Sequence, residues 1–210
     1  FMKKIENILK KRIMILDGGM GTMIQEHKLS EDDYRSKLFE NHNSSLQGNN
    51  DLLSITQPKI IKDIHLKYLK AGSDIIETNT FNANSISQED YNLQDKVFEM
   101  NFESAKIAKE AVKQFNVEYN QQAFVCGSMG PTNRTASLSP KVEDLSYRNV
   151  TFDELYDAYY EQIDGLVQGG IDIVMIETIF DTLNCKAAII AVKDYFENKK
   201  INLPIMISVT

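Results

Sequence analysis

Three short loops contain the side chains best suited to chemistry, and each loop follows an apolar run of the length of a buried strand. The loops are Asp17-Gly18-Gly19-Met20-Gly21, Glu77-Thr78-Asn79 and Glu177-Thr178. Consecutive N–H groups in a glycine-rich turn can bind a carboxylate. A glutamate at the end of a buried strand is costly to desolvate unless a cationic ligand group compensates its charge. The loops therefore predict a binding site, with a tight turn at Asp17 and locally paired glutamates as the alternatives.

A fourth loop of small residues follows the apolar run Ala123–Cys126. Its residues are Gly127-Ser128-Met129-Gly130-Pro131-Thr132-Asn133. Small side chains such as that of Ser128 would allow a ligand to lie close to the backbone, and an ordinary turn is the alternative.

The cysteines and histidines do not have the spacing of a metal site. Cys126, Cys185, His27, His42 and His65 form no CxxC, HxH or HExxH pattern. We expect no metal ligands in this chain. The two cysteines are expected to be small buried residues, and His65 to be structural or on the surface.

Apolar runs alternate with helical patterns, which is typical of parallel α/β folds. Strands are predicted at Ile13–Leu16, Asp51–Ile55, Asp74–Glu77, Ala123–Cys126, Ile171–Ile176 and Pro204–Val209. Helices are predicted from Pro58 to Gly72, across Phe98–Phe115, from a capping box at Thr151 and Glu154 to Gly169, and from Asp181 or Thr182 to Phe196. Two polar segments, Glu26–Asn50 and Pro131–Val150, are long for βα loops and predict either active-site walls or surface excursions.

This alternation fits a doubly wound sheet or a (β/α)8 barrel. GGMGT lacks the GxGxxG spacing and the GK[ST] ending of the phosphate-binding loops found in doubly wound sheets, which favours the barrel. The predicted fold is an incomplete TIM (β/α)8 barrel with about six of the eight βα units. One domain, truncated at its C-terminal end, would cover residues 1–210.

Composition limits the classes of partner. A net charge of -7 and a pI of about 5.1 argue against nucleic-acid binding. The first residues lack the apolar core typical of a signal peptide, and no apolar stretch reaches the length that a membrane helix needs. Two cysteines without a disulfide framework indicate a reducing compartment, so a cytoplasmic location is expected.

Six segments together resemble the N-terminal homocysteine-binding (homocysteine S-methyltransferase) module of cobalamin-dependent methionine synthase. They are ILDGGMGTMIQ, GNNDLLSITQP, AGSDIIETNTFNAN, GSMGPTNRTASLSP, YRNVTFDELYDAYYEQ and GGIDIVMIETIFDTLN. The resemblance extends from about Arg12 to Thr210. GPTNRTAS, RNVTFDEL and IETIFDTLN are its most specific parts, and they separate the chain from the betaine- and S-methylmethionine-dependent enzymes.

The resemblance implies a barrel that binds homocysteine at its carboxyl face, with a zinc ion held by three cysteines on the substrate sulfur. Zinc coordination converts the thiol to the nucleophilic thiolate. The thiolate would take a methyl group from methylcobalamin on a second module, and a methyltetrahydrofolate-binding module would remethylate the cobalamin. Asp17–Met20 match the family segment for the amino-acid end of homocysteine, and Glu177 matches the residue that holds the ammonium. Glu77, Thr78 and Asn79 match a strand end at the same mouth.

The chain departs from the family in its cysteines. The family's zinc ligands follow strands seven and eight, in an NC and a GGCCG segment, and this sequence has neither. Cys185 is no substitute, because it is predicted to lie on a helix. We therefore expect a truncated module that binds neither zinc nor cobalamin in the family manner and transfers no methyl group alone. Open barrel edges also predict self-association or instability.

Other functions are compatible with the same residues. One is the homocysteine methyltransferase half of a fusion with a methylenetetrahydrofolate reductase, and another is a non-catalytic homocysteine-binding fragment. An unrelated barrel lyase or aldolase would need a Schiff-base lysine at a strand end, and the predicted strand ends have none.

Overall fold

A parallel sheet of four strands forms the centre of the protein. The computed structural model describes residues 2–210, with side chains from Ile5 onward. The strands are β1 (Ile75–Glu77), β2 (Phe124–Met129), β3 (Ile173–Ile179) and β4 (Ile205–Val209). Their order in the sheet is the order in the chain, with every neighbouring pair parallel. Because the order never reverses, the sheet has the topology of part of a barrel wall and not that of a doubly wound sheet.

The predicted first strand pairs with β1 only at its end. Leu16 forms an isolated parallel bridge with Ile75, and the carbonyl of Ile15 accepts the N–H groups of Asp74 and Ile75 at 2.8 and 3.1 Å. Ile13 and Ile15 are 86% and 57% exposed. Among the described residues no strand pairs with the other edge of this segment, and its pairing with β1 is limited to the bridge at Leu16.

The prediction of a strand at Asp51–Ile55 is wrong. Residues Asn50–Leu52 form a 3-10 turn that continues into the helix α4 (Leu53–Thr56). Leu52 and Leu53 are both fully buried, as consecutive residues also are in a strand covered on both faces, such as β2. A short apolar run fits a buried helix as well as a strand, and here tertiary packing selects the helix.

Helices cover the sheet and connect its strands. In addition to α4 they are α1 (Met2–Leu9), α2 (Met20–Gln25), α3 (Glu31–Arg35), α5 (Pro58–Ala71), α6 (Ser85–Gln88), α7 (Val97–Tyr119), α8 (Phe152–Gly169) and α9 (Thr182–Lys199). The predicted caps are confirmed: Gly72 ends α5 at φ 112°, Thr151 and Glu154 form a capping box on α8, and Asp181 caps α9. No helix among residues 2–210 is long and apolar enough to span a membrane.

The remaining strand predictions differ from the structure mainly at the carboxyl ends. β2 extends three residues beyond the predicted Cys126, and β3 extends three beyond the predicted Ile176. The segment Glu26–Asn50 is not a plain surface excursion, because Tyr34 and Leu46 are buried in the apolar cluster beneath α5.

His65 on α5 is fully buried, and neither ring nitrogen has a partner among the described residues, so a surface position is excluded. Burial lowers the pKa of His65 to about 4. In the unfolded chain His65 binds a proton as the pH falls through 6.5, whereas in the folded chain it does so only near pH 4. Stability from this group is therefore present above pH 6.5 and is lost as the pH falls toward 4.

In the wild type, His65 is expected to lower the free energy of unfolding by about 3 kcal/mol between pH 7 and pH 4. We expect the His65→Leu variant to lack this decrease. The measurement is urea unfolding at both pH values, with the exposed His27→Leu variant as the matched control. Equal pH dependence of the wild type and the His65→Leu variant would contradict the prediction.

Candidate functional site

The carboxyl ends of the strands surround a cavity of about 400 Å³. The cavity is lined by Asp17, Gly18, Gly19, Met20, Gly21, Glu77, Thr78, Asn79, Thr80, Phe81, Ser128 and Glu177. Every residue predicted as substrate-binding is in this set except Thr178, whose hydroxyl donates to Glu177 Oε2 at 3.3 Å. Parallel strands end at one edge of the sheet, so loops distant in sequence converge there.

Three carboxylates face this cavity, and among residues 5–210 none of them takes part in an ion pair. Burial raises the pKa of Glu77 to about 8, with further contributions from the charges of Glu177 and Asp17. Burial also raises the pKa of Asp17 to about 7, partly offset by the N–H of Glu77, which donates to Asp17 Oδ2 at 3.0 Å. Asp17 Oδ1 is buried without a partner. The cavity is therefore electrostatically suited to a cationic ligand group.

Glu177 lies within β3 at a bulge. The pairing of β3 with β4 shifts register between Ile176 and Ile179, and Thr178 has φ 56°, in the left-handed region that a β-branched residue rarely adopts. The Ser128 hydroxyl donates to Glu177 Oε1. Local strain of this kind is maintained where the surrounding structure holds a functional group in place.

A buried hydrogen-bond network joins the ends of β1 and β2. Thr78 Oγ1 accepts the N–H of Ser128 at 3.0 Å, and the Thr80 hydroxyl donates to the Ser128 carbonyl at 2.7 Å. The side chain of Gln162 on α8 donates to the Thr80 carbonyl at 2.9 Å. The network fixes Ser128, and through it the carboxylate of Glu177.

Sequence reasoning assigned no role to Thr80, Phe81 or Gln162. The signal for Gln162 was present, because a glutamine occurs on the apolar face of α8 between Tyr159 and Leu166. A polar side chain at such a position indicates a buried hydrogen-bond partner.

In the glycine loop Gly18 is required for close packing and not for backbone handedness. None of Gly18, Gly19 and Gly21 has a positive φ. A Cβ on Gly18 would lie 3.2 Å from the hydroxyl oxygen of Tyr68, which donates to the Gly19 carbonyl at 3.1 Å. Asp17 does not cap α2, since it is Gly19 that precedes this helix. Asp17 instead joins the loop to β1 through Glu77.

The cysteines do not converge on a metal site. Cys126 packs in the apolar cluster with Ile75 and Phe124, whereas Cys185 packs in the larger cluster between the sheet and the helices α7–α9. Burial raises the pKa of the Cys126 thiol well above its ordinary value. Among residues 5–210 no group of three His, Cys, Asp or Glu side chains is arranged to hold a metal ion. The described side chains therefore do not fit a three-cysteine zinc site.

The fold and the cavity define an α/β protein of the barrel type with an acidic cavity at the carboxyl ends of its strands. The sequence profile of the homocysteine S-methyltransferase family matches residues 14–210, and the chain belongs to this family. This confirms the expected family at the level of homocysteine S-methyltransferases, and membership excludes the aldolase alternative.

Solved structures show the same fold. The homocysteine methyltransferase MmuM from Escherichia coli in its metallated form matches with a TM-score of 0.69 and 20% identity, over 90% of this chain and 62% of that one. The oxidized form matches with a TM-score of 0.68 and 18% identity, over 89% and 60% of the two chains. The apo form matches with a TM-score of 0.65 and 17% identity, over 96% of this chain and 61% of that one. The likeness confirms the barrel-like fold, and the chain spans 60–62% of the length of these relatives.

Proposed function

We propose that the cavity binds L-homocysteine and that the chain is the substrate-binding part of a homocysteine S-methyltransferase. The observation that carries this proposal is the group of three carboxylates, Asp17, Glu77 and Glu177, without a protein cation beside them. This statement about cations applies to residues 5–210. An α-ammonium group would compensate the buried charge and would fill the free acceptor Asp17 Oδ1.

The other lining groups suit the rest of the amino acid. The backbone N–H groups of the Gly18–Met20 segment would bind the substrate carboxylate, as the family resemblance implies. Met20 and Phe81 are the large apolar side chains of the lining, and they would contact the methylene groups. The cavity of about 400 Å³ has room for a molecule of this size.

Calorimetric titration of the reduced chain with L-homocysteine tests this assignment, with 4-mercaptobutanoate as the matched ligand that lacks only the ammonium. We expect L-homocysteine to bind at least about 100-fold more tightly, the range of a buried charge pair. Equal affinities for the two ligands would overturn the proposal.

We propose further that the parent protein is methionine synthase, a 5-methyltetrahydrofolate–homocysteine methyltransferase, with cobalamin and methyltetrahydrofolate modules as partners. The support is the sequence resemblance. Because Cys126 and Cys185 lie in different apolar clusters, we propose that the zinc ligands come from outside the described residues. Unpaired thiols are consistent with the cytoplasmic location that we propose.

The chain alone is expected to form no methionine from homocysteine and methylcobalamin above the uncatalysed rate. The physical reason is that the described side chains form no metal site, and without a bound metal ion the thiol of the substrate stays mostly protonated. The measurement is methionine formation by mass spectrometry over several hours, with heat-denatured chain as the control. Methionine formation that exceeds this control would refute the expectation.

Self-association is expected through the two edges of the sheet, where the outermost strands have no neighbour among the described residues. Ile207 and Val209 on β4 are 48% and 73% exposed, and Ile15 at the opposite end is also exposed. Unpaired strand edges with apolar side chains favour association. Light scattering across a concentration series measures it, and a mass that stays monomeric at all concentrations would contradict it.

A further inference from the structure

A second, smaller cavity of about 160 Å³ lies beside the segment that follows β1. Residues Thr78–Phe81 of that segment line the first cavity, and Asn82 lines the second. The polar side chains around the second cavity are those of Asn49, Asp51, Asn82, Ser87, Asp90, Tyr91 and Asn133. They come from three separate parts of the chain, and the proposed function assigns no role to this cavity.

Two carboxylates of this cavity are held by neutral groups alone. Asp51 is 4% exposed, and its Oδ1 accepts the N–H of Asn82 at 2.9 Å. Asp90 Oδ2 accepts the amide of Asn133 at 2.8 Å. Neither carboxylate occurs in the ion pairs of residues 5–210. The buried charge of Asp51 therefore has no cationic side chain beside it, whereas Asp90 is exposed to solvent. Burial raises the pKa of Asp51 to about 6.

Ser87 supplies a second, independent observation. The residue is 6% exposed, it lines the cavity, and its hydroxyl oxygen is buried without a partner among the described residues. Buried hydroxyl groups are almost always satisfied by protein, water or a bound ligand. The Ser87 hydroxyl is therefore a polar group beside the cavity whose hydrogen-bonding capacity no described residue satisfies.

We propose that the second cavity binds a hard, oxygen-preferring cation, with the Asp51 carboxylate and the Ser87 hydroxyl as ligands and Asp90 supplying further negative charge. The available donors are carboxylate, hydroxyl and amide oxygens, which suit calcium, magnesium or potassium and not softer transition metals. The volume exceeds that of a bare ion, so water molecules complete the coordination.

A cation at this position would stabilise one wall of the first cavity. Asp51 receives the N–H of Asn82, and the carbonyl of Asn50 accepts the side-chain amide of Asn79 at 2.7 Å. The segment that contains Asn50 and Asp51 is thus bonded to both ends of the Asn79–Asn82 segment. The cation site does not depend on homocysteine binding, and its test uses no homocysteine.

Thermal unfolding of the chelator-treated full chain tests the site in three separate arms with CaCl2, MgCl2 and KCl. Choline chloride at matched ionic strength is the control in each arm. We expect at least one cation to raise Tm saturably, by on the order of 5 °C at a concentration 100 times its Kd. The arm that responds identifies which of the three cations the site takes.

Two variants assign the effect to the cavity. Asp51→Asn keeps an acceptor for the Asn82 N–H and is expected to abolish the shift, whereas Asp63→Asn on the exposed face of α5 is expected to retain it. Ser87→Ala keeps both carboxylates and is expected to weaken cation binding about tenfold by calorimetry, consistent with the loss of one ligand. The proposal is overturned if no cation exceeds the choline control in the wild type. It is also overturned if folded Asp51→Asn or Ser87→Ala responds like the wild type.

Discussion

Replacing Glu177 by glutamine is expected to lower the affinity of the chain for L-homocysteine by about 100-fold, equivalent to about 2.7 kcal/mol. Glutamine keeps the shape of the side chain, and its one oxygen can accept from Ser128, which donates to Oε1 in the wild type, whereas the amide nitrogen replaces Oε2, the acceptor of the Thr178 hydroxyl. The substitution therefore removes the charge with little change in packing and with the loss of one local hydrogen bond of 3.3 Å. The ammonium of the ligand would then lose one of the carboxylates that compensate it. Calorimetric titration of both proteins measures the difference.

The matched control for this substitution is Glu197→Gln, on the exposed side of α9. It makes the same chemical change away from the cavity, and affinity is expected to stay within twofold of the wild type. Circular dichroism and Tm show whether each variant is folded. If folded Glu177→Gln binds L-homocysteine as tightly as the control, the ammonium does not bind at this carboxylate.

Amino-acid binding is expected to strengthen by more than about tenfold between pH 6 and pH 8.5, because affinity rises up to tenfold per pH unit below the pKa of a group that must ionise. The pKa of Glu77 is raised to about 8 and that of Asp17 to about 7, both chiefly by burial. Below these values the carboxylates hold protons, and the ammonium must displace them. L-methionine is the suitable probe, since its thioether does not titrate.

Proton release gives this prediction a second readout. Calorimetry in two buffers with different ionisation enthalpies is expected to show net release of protons at pH 7. In the Glu77→Gln variant the steepest part of the pH dependence is expected to move down toward pH 7, where Asp17 titrates. A pH-independent affinity with no proton release would contradict the assignment of Glu77 to the ammonium site.

Raising the pH is expected to strengthen ligand binding by these carboxylates but to lower the stability of the unliganded chain. A carboxyl group with a raised pKa stabilises the folded state when protonated, and this contribution is lost as the pH rises through the folded pKa, about 8 for Glu77. His65 has the reverse dependence, because its pKa is lowered to about 4. The ionised carboxylates of the ligand-free site thus lower the stability of the folded chain, and binding of a ligand with an ammonium group would offset this effect.

The sequence was sufficient to predict the clustering of the site. Asp17, Glu77, Ser128 and Glu177 each follow or end an apolar run, and parallel strands bring such positions to one edge of the sheet. Helix ends were also predictable, since Gly72, Thr151 and Asp181 are local signals that act within one helical turn.

Features that depend on tertiary packing were not predictable. The run at Asp51–Ile55 contains too few residues to distinguish a strand from a buried helix. The bulge at Thr178 follows from the register between β3 and β4, which no single segment encodes. The residue Gln162 is 82 positions distant in sequence from Thr80, whose carbonyl it binds.

The most direct test of the central claim is a crystal structure of the chain with L-homocysteine bound under reducing conditions. The account predicts the α-ammonium within hydrogen-bonding distance of Glu177 and of Asp17 or Glu77, and the α-carboxylate at the N–H groups of the Gly18–Met20 segment. A ligand bound outside this cavity, or one whose ammonium points away from all three carboxylates, would contradict it.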